Sequence, residues 1–528
     1  MKNTRIRFWC DNNCYPIHKM YRTTSKNVIH HEMSYARKLI VIFLLLHTKS
    51  CYSSLPCKNN HTMHLKQLLL LLSVQLSVLT TAQTNNLDST LFSISELQED
   101  FNYWKSLLTD KHPILYHYNT PKAFNHYFDS VYRKIDRPMT RADFFRIIGP
   151  TSSFTKCAHN QVYSGSAINE DIMDHESLIP VNIEWFDGHA YVTYNYTNDP
   201  SLDPGTPISE INGVGIEDIY SKSLSLLPDD GYSNAYAQFW VNKQFYFYYH
   251  LLFGFSENYT LQTPHENAVV EGMSVDEMER VQEIKPALVP EPFEGIKHYS
   301  IDSLNTMVLR VGSFFGSDYR KLHKRRFKKV VDTNIESVLS VNPEYLIIDL
   351  RGNDGGQPKN PLYLLKYLMH EPFVFKEEVR TLKDKNETNS FIRSEKVFFP
   401  DGRVGTFKPA KSKFEGKIYL IVDGGTTSAA GEFAGVIRRY NRGKVVGTET
   451  GGNPIILTGY GLGSQKKLPN TKLPVSVGNK TTFMNDVKLD NGYGLIPDEV
   501  IRPTVSDFLN KKDPCTSFIL NEIKQLRE

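Results

Sequence analysis

Two stretches of this chain share one pattern. "YLIIDLRGNDGG" runs from Tyr345 to Gly356, and "KIYLIVDGGTTSAAGEFAG" from Lys417 to Gly435. Each is an unbroken apolar run of strand length, then a Gly-Gly turn, then a helix-forming segment. Strands apolar on both faces, alternating with helices, predict a mostly parallel sheet covered by helices. "TMVLRVGSF" before them and "KVVGTET" after them extend the series. In such sheets ligands sit at the carboxyl ends of the strands. Both Gly-Gly turns fall at such ends, and they are expected to meet in space.

The second junction raises a chemical question. Thr426, Thr427 and Ser428 present three hydroxyls where a strand turns into a helix. Ser and Thr cap helices well, so an ordinary cap is one reading. A serine nucleophile is the other, because a helix start also leaves backbone N–H groups unpaired. A nucleophilic Ser428 needs a base to take its proton and donors to receive an oxyanion. The Ala429 N–H is one candidate donor and Gly355, from the first turn, the other. Asp349 and Arg351 are expected to hold that first turn. The window is not a G-x-S-x-G elbow, and no G-K-[ST] follows the glycines, which excludes a P-loop.

The rest of the chain divides by periodicity. Residues 93–147 read as three helices, with Leu97, Phe101, Trp104 and Leu107 at helical spacing in the first. "VNIEWFDGHAYVTYNY" alternates around Asp187-Gly188, a hairpin signal. Asn212-Gly213 marks a turn between a short strand and a helix. The aromatic "FWVNKQFYFYYHLLFG" reads as core, and proline-rich 282–294 as a linker. "DYRKLHKRRFKKVVDTNIESVL" reads as one long basic amphipathic helix. The fold class is therefore α/β: a mixed, mostly parallel sheet core behind an N-terminal helical domain and a small β-rich domain. The expected divisions are 1–82, 83–165, 166–295 and 296–528.

Residues 63–84, "MHLKQLLLLLSVQLSVLTTAQT", have the form of a secretory signal with cleavage after Ala82, and Met63 is the expected start of translation. The apolar run is short for a membrane span. Residues 1–82 carry a net +9, so the chain's +3 becomes about −6 once they are removed. A nucleic-acid-binding role has no support in that balance. Of six cysteines only Cys157 and Cys515 lie beyond residue 82. One disulfide is the most they allow, and no spacing suggests a metal site or a cofactor.

"LIIDLRGNDGG", "GTTSAAGEFAG", "VVGTETGG" and "NGYGLIPDEVIRPT" occur in this order, and together they resemble the C-terminal-processing, or tail-specific, serine peptidase family. The resemblance covers 300–510, and residues 205–216 resemble that family's small PDZ-like module. It implies Ser428 as nucleophile, with Ala429 and Gly355 at the oxyanion. One branch places a lysine about 25 residues after the serine; Asn453 stands there. The tricorn-like branch takes a histidine from the N-terminal region, and "CAH" at 157–159 fits that slot. The 17 histidines alone leave the base open; the resemblance selects His159. Asp490 falls on that branch's glutamate and would orient the histidine or the substrate, with Asp486 and Glu449 in reserve. An unperturbed histidine base implies an acid limb near pH ~6.5. The implied protein is an exported serine peptidase acting on peptides or proteins. Its expected place is the periplasm, with secretion or outer-membrane association as alternatives. A catalytically inactive peptide-binding protein and a serine esterase are the rival readings.

Overall fold

The computed structural model describes residues 90–285, 295–382, 391–393, 404–461, 463–485 and 487–528. The leader and Asp486 lie outside them, as does most of the proline-rich linker. Asp88–Glu528 forms one compact unit.

The N-terminal helices start where their caps predict. Ser93 and Glu96 form a capping box at the head of Ile94–Lys111, and Thr120 and Thr140 cap Pro121–Tyr132 and Arg141–Ile148. Leu97, Phe101, Trp104 and Leu107 are buried along one stripe, as their spacing requires. In the β-rich region, Val181–Phe186 and His189–Asn195 form the expected hairpin. Asp187 and Gly188 turn it with φ of 48° and 82°, the paired positive values of a tight hairpin turn. Asn212-Gly213 joins two short strands, Glu210–Ile211 and Val214–Gly215, before the Ile216–Ser225 helix. Those strands belong to a four-stranded sheet completed by Asn258–Gln262 and Asn267–Glu271. The aromatic stripe forms two helices, Ala235–Lys243 and Phe245–Phe253, which bury Trp240, Phe245, Tyr249 and Leu251.

The core is a six-stranded sheet. Its spatial order is Glu499–Val500, Gly443–Gly447, Lys417–Val422, Tyr345–Asp349, Thr306–Val311 and Ile296–Ile301. All neighbours run parallel except the last pair. Helices Phe327–Val341, Lys359–Leu365 and Ala429–Arg439 bury apolar residues on one face. The Pro514–Arg527 helix covers the other with Cys515, Ile519 and Ile523. Cys157 and Cys515 are free and buried, so the possible disulfide is not made.

The expected long basic helix is two helices. Gly316–His323 ends at Lys324, whose φ is 53°, and Phe327–Val341 starts afresh. The break lets Tyr319 and Phe327 enter the same core, their rings edge to face at 4.9 Å. A continuous helix would put these residues, eight apart, more than two turns from each other.

Two further sheets were not legible in the sequence. Gln161–Val162 pairs with Pro474–Ser476, which pairs with Gln465–Lys467. Ile456–Gly459, Lys480–Phe483, Glu378–Leu382 and Phe391–Arg393 form the other. The first fastens the chain just beyond His159 to the C-terminal half of the molecule.

Candidate active site

The register of the central strands brings the two Gly-Gly turns together. Asp349 lies opposite Ile421, so both strands end at one level. Asp423 then ties the turns: one carboxylate oxygen accepts from the N–H of Gly352 at 2.9 Å and of Gly425 at 3.0 Å. The N–H of Thr427 donates to the Asn353 carbonyl at 3.0 Å. Thr426 donates its hydroxyl to the Leu350 carbonyl at 3.0 Å. Arg351 is clamped by Asp349 and, at 2.7 Å, by Asp513, so this pair holds the first turn.

Ser428 stands at the head of the Ala429–Arg439 helix with φ 49° and ψ −123°, and its hydroxyl caps nothing. A non-glycine residue in that region is strained by about 1–3 kcal/mol. The ordinary cap reading needs the side chain turned back onto the helix and an extended backbone. Neither is present. The Ala429 N–H is at the first helical position, one of the donors no helix satisfies internally.

Gly355 lies against this serine. A Cβ built on it would fall 2.8 Å from both Ser428 Cβ and the Ala429 nitrogen, and its φ is +98°. Only glycine gives that approach. Its own N–H donates to Asn353 Oδ1 at 3.0 Å. The turn is thus brought to the serine, while the donor expected of Gly355 is occupied by a neighbouring side chain.

The loop carrying Gly452 and Asn453 closes the other side. A Cβ on Gly452 would lie 3.0 Å from the Ser428 nitrogen. Asn453 donates its side chain to Asp490 Oδ1 at 2.8 Å. Asp490 also accepts from Tyr118 at 2.7 Å, from the Gly492 N–H at 2.9 Å, and from His117 Nε2 at 2.9 Å. Burial raises the pKa of this carboxyl, and those hydrogen bonds more than reverse it, to about 2. The carboxylate is therefore a fixed charge, held by four partners, none of which is His159.

His159 approaches from the N-terminal region. Its ring stands edge-on to Tyr460, centroids 4.7 Å apart, and its Nδ1 is buried with no hydrogen-bond partner. Burial, then the charge of Lys480, lowers its pKa to about 4. The residue that links this segment to the loop is Asp230. It accepts from the Ala158 N–H at 2.9 Å, and the Asn453 N–H also donates to it. Its pKa is raised to about 7, chiefly by burial. Gly452 beside Ser428, Asn453 next to it, Asp230 and Ala158, the neighbour of His159 in the chain, thus follow one another around one loop. No hydrogen bond connects Ser428 to His159. Glu449, the other reserve, accepts from the Gly494 N–H at 2.9 Å and supports the turn after its strand.

Asp230, His117 and Tyr118 were not singled out in the sequence, and Asn453 was marked only as standing where one branch has a lysine. The adjacent His117 and Tyr118, Asp230 and Asn453 come from three separate segments, and no local spacing marks them.

The fold places a strained serine over a glycine turn at the strand ends of a mostly parallel sheet. Residues 305–501 match the model of peptidase family S41. No curated protein matches the chain. Among solved structures, mature CPAF complexed with lactacystin is similar with TM-score 0.58 and 13% identity, over 82% of this chain and 98% of that one. A second structure of mature CPAF is similar at 0.55 and 13% identity, over 82% and 97%. At these identities the likeness is one of fold. No helix among the described residues is long and apolar enough to cross a membrane.

Proposed function

We propose that this chain is an exported serine peptidase of the tricorn-like branch, cleaving peptide bonds in peptide or protein substrates. The observation that carries the reading is Ser428: a strained residue at a helix start, its hydroxyl uncommitted, beside the N–H of Ala429 and the bare face of Gly355. The match of residues 305–501 to S41 peptidases supports the same chemistry.

In this reading Ser428 Oγ attacks the substrate carbonyl and His159 accepts its proton. His159 is neutral above a pH of about 4, the state a base requires. The oxyanion is met by the Ala429 N–H and by the Gly355 N–H, which exchanges Asn353 Oδ1 for the substrate oxygen. Collapse of the intermediate passes the proton from His159 to the leaving amine. Asp490 acts on the substrate side: its charge fixes His117, Tyr118 and Asn453 as one wall of the site. The small four-stranded sheet with the Ile216–Ser225 helix takes the PDZ-like peptide-holding part. Export through the Met63–Ala82 signal to the periplasm completes the proposal.

A fluorophosphonate probe tests it. The wild-type chain from Gln83 onward is expected to be labelled, and folded Ser428→Ala is not. Folded wild type that takes no label would favour the inactive peptide-binding reading. A peptide-against-ester panel separates peptidase from esterase.

A further inference from the structure

Among the described residues one group of side chains gathers three donors of metal-binding type: Cys157, His159 and Asp230. The thiol sulfur, one imidazole nitrogen and one carboxylate oxygen all lie within 4.8 Å of one another. Several polar atoms here are unsatisfied: Asp230 Oδ2, His159 Nδ1 and His112 Nε2 are buried without a hydrogen-bond partner. Asp230 and His112 are only 5% and 6% exposed, so bulk water does not satisfy them. Leaving such groups unmet costs about 1–3 kcal/mol each. Cys157, Asp230 and His112 also line a common small cavity of about 10 Å³. That is room for one small occupant, at the lower limit for a water molecule.

We propose that Cys157, His159 and Asp230 form a site for a thiophilic divalent cation, with Zn²⁺ the best fit, and that the bound ion silences the base. The second half rests on His159 being the base; the first does not. The donor set is mixed S, N and O, which suits zinc and excludes the oxygen-seeking Ca²⁺ and Mg²⁺. Tetrahedral zinc, with bonds of ~2.0–2.3 Å, separates its ligands by roughly 3.5 Å. Closing the present group onto an ion therefore needs side-chain shifts of about 1 Å. The fourth position is left to a water molecule; His112 lines the same cavity but lies outside the donor group. Cys157 binds as thiolate, and its thiol proton, now donated to the Thr458 carbonyl, leaves to solvent. An ion on the imidazole removes a lone pair that proton transfer needs and fixes the ring, so occupancy and catalysis exclude each other.

The test uses the chain from Gln83 onward, freed of metal with a chelator. Stoichiometric Co²⁺ should give the intense visible bands of a tetrahedral site and a thiolate-to-cobalt charge-transfer band, and Zn²⁺ should bleach both. Cys157→Ser should lose the charge-transfer band, and Asp230→Asn should weaken binding at least tenfold. Near-UV circular dichroism checks that each variant is folded. Absence of Co²⁺ binding to the wild type, or binding whose spectrum is unchanged in Cys157→Ser, overturns the site. Fluorophosphonate labelling is measured separately: it should fall with bound Zn²⁺ and return with chelator. Labelling that is unaffected by stoichiometric Zn²⁺ overturns the silencing. Absence of any labelling would instead remove the peptidase reading, while the cobalt spectrum still decides the site.

Discussion

Ser428 and Gly355 show how much chemistry depends on two backbone conformations. Ser428 adopts φ 49° because the turn before it is pinned by Asp423 and Thr426, leaving the serine to absorb the change of direction. Gly355→Val should lower turnover a hundred- to thousandfold, the scale of losing one oxyanion donor. Its Cβ would strike Ser428, and φ +98° suits no branched residue. Gly188→Ala is the control, since nothing lies within 4 Å of its Cβ position. Equal turnover in the two variants would detach the Gly355 turn from the site. As the proposed base, His159 sets the expected pH dependence. The sequence suggested an acid limb near pH ~6.5; burial moves the pKa to about 4. The rate of fluorophosphonate labelling should therefore hold from neutrality down to about pH 5 and fall through pH ~4. A limb near 6.5 would assign the base elsewhere. Stability follows the same sign. The unfolded chain binds the proton more readily, so this contribution is full above pH ~6.5 and is lost as pH falls toward 4.

At the scale of elements, the Ala429–Arg439 helix is held by a buried ion pair. Lys376 donates to Glu432 Oε1 at 2.7 Å, and both side chains are 1% exposed. Glu432 is in the first turn, where a negative charge suits the helix dipole. Lys376→Met leaves the carboxylate buried and unpaired and should cost about 3–5 kcal/mol in chemical denaturation. Lys376→Met with Glu432→Leu should regain most of that loss. A single variant as stable as wild type would show that the pair does not hold the helix. The two halves of the expected basic helix teach a related lesson. Its periodicity was right for both pieces, yet Lys324 interrupts it so that Tyr319 and Phe327 share one core. Hydrophobic period reports which face is buried; it does not report where two buried positions must converge.

At the scale of the molecule, the N-terminal helices are fastened to the C-terminal half by polar contacts over long sequence distance. Buried Asp100 accepts from the N–H of Asn470 at 2.7 Å, the N–H of Thr471 at 2.8 Å and the Thr471 hydroxyl at 2.6 Å. Arg141 donates to the Thr471 carbonyl at 2.7 Å. These contacts hold the segment that carries His159. Asp100→Ala should orphan the loop N–H groups and lower stability by about 1–3 kcal/mol. Labelling of Ser428 should fall with it even where the variant stays folded. Unchanged stability and labelling would mean that the helices dock without this carboxylate.

Periodicity and turn chemistry by themselves determined the parallel sheet, its Gly-Gly turns at one edge, the capped N-terminal helices and the placing of Ser428 at a strand-to-helix junction. Those are properties of neighbouring residues, set by backbone sterics and by which faces are apolar. The tertiary structure alone decided which groups meet around that serine. Asp490 takes His117, 373 residues away, and leaves His159 to other neighbours. Asp230 comes between Ala158 and Asn453, and Asn353 holds the Gly355 N–H. Such partners are selected by packing and by the need to satisfy buried polar groups, and that selection leaves no period in the sequence.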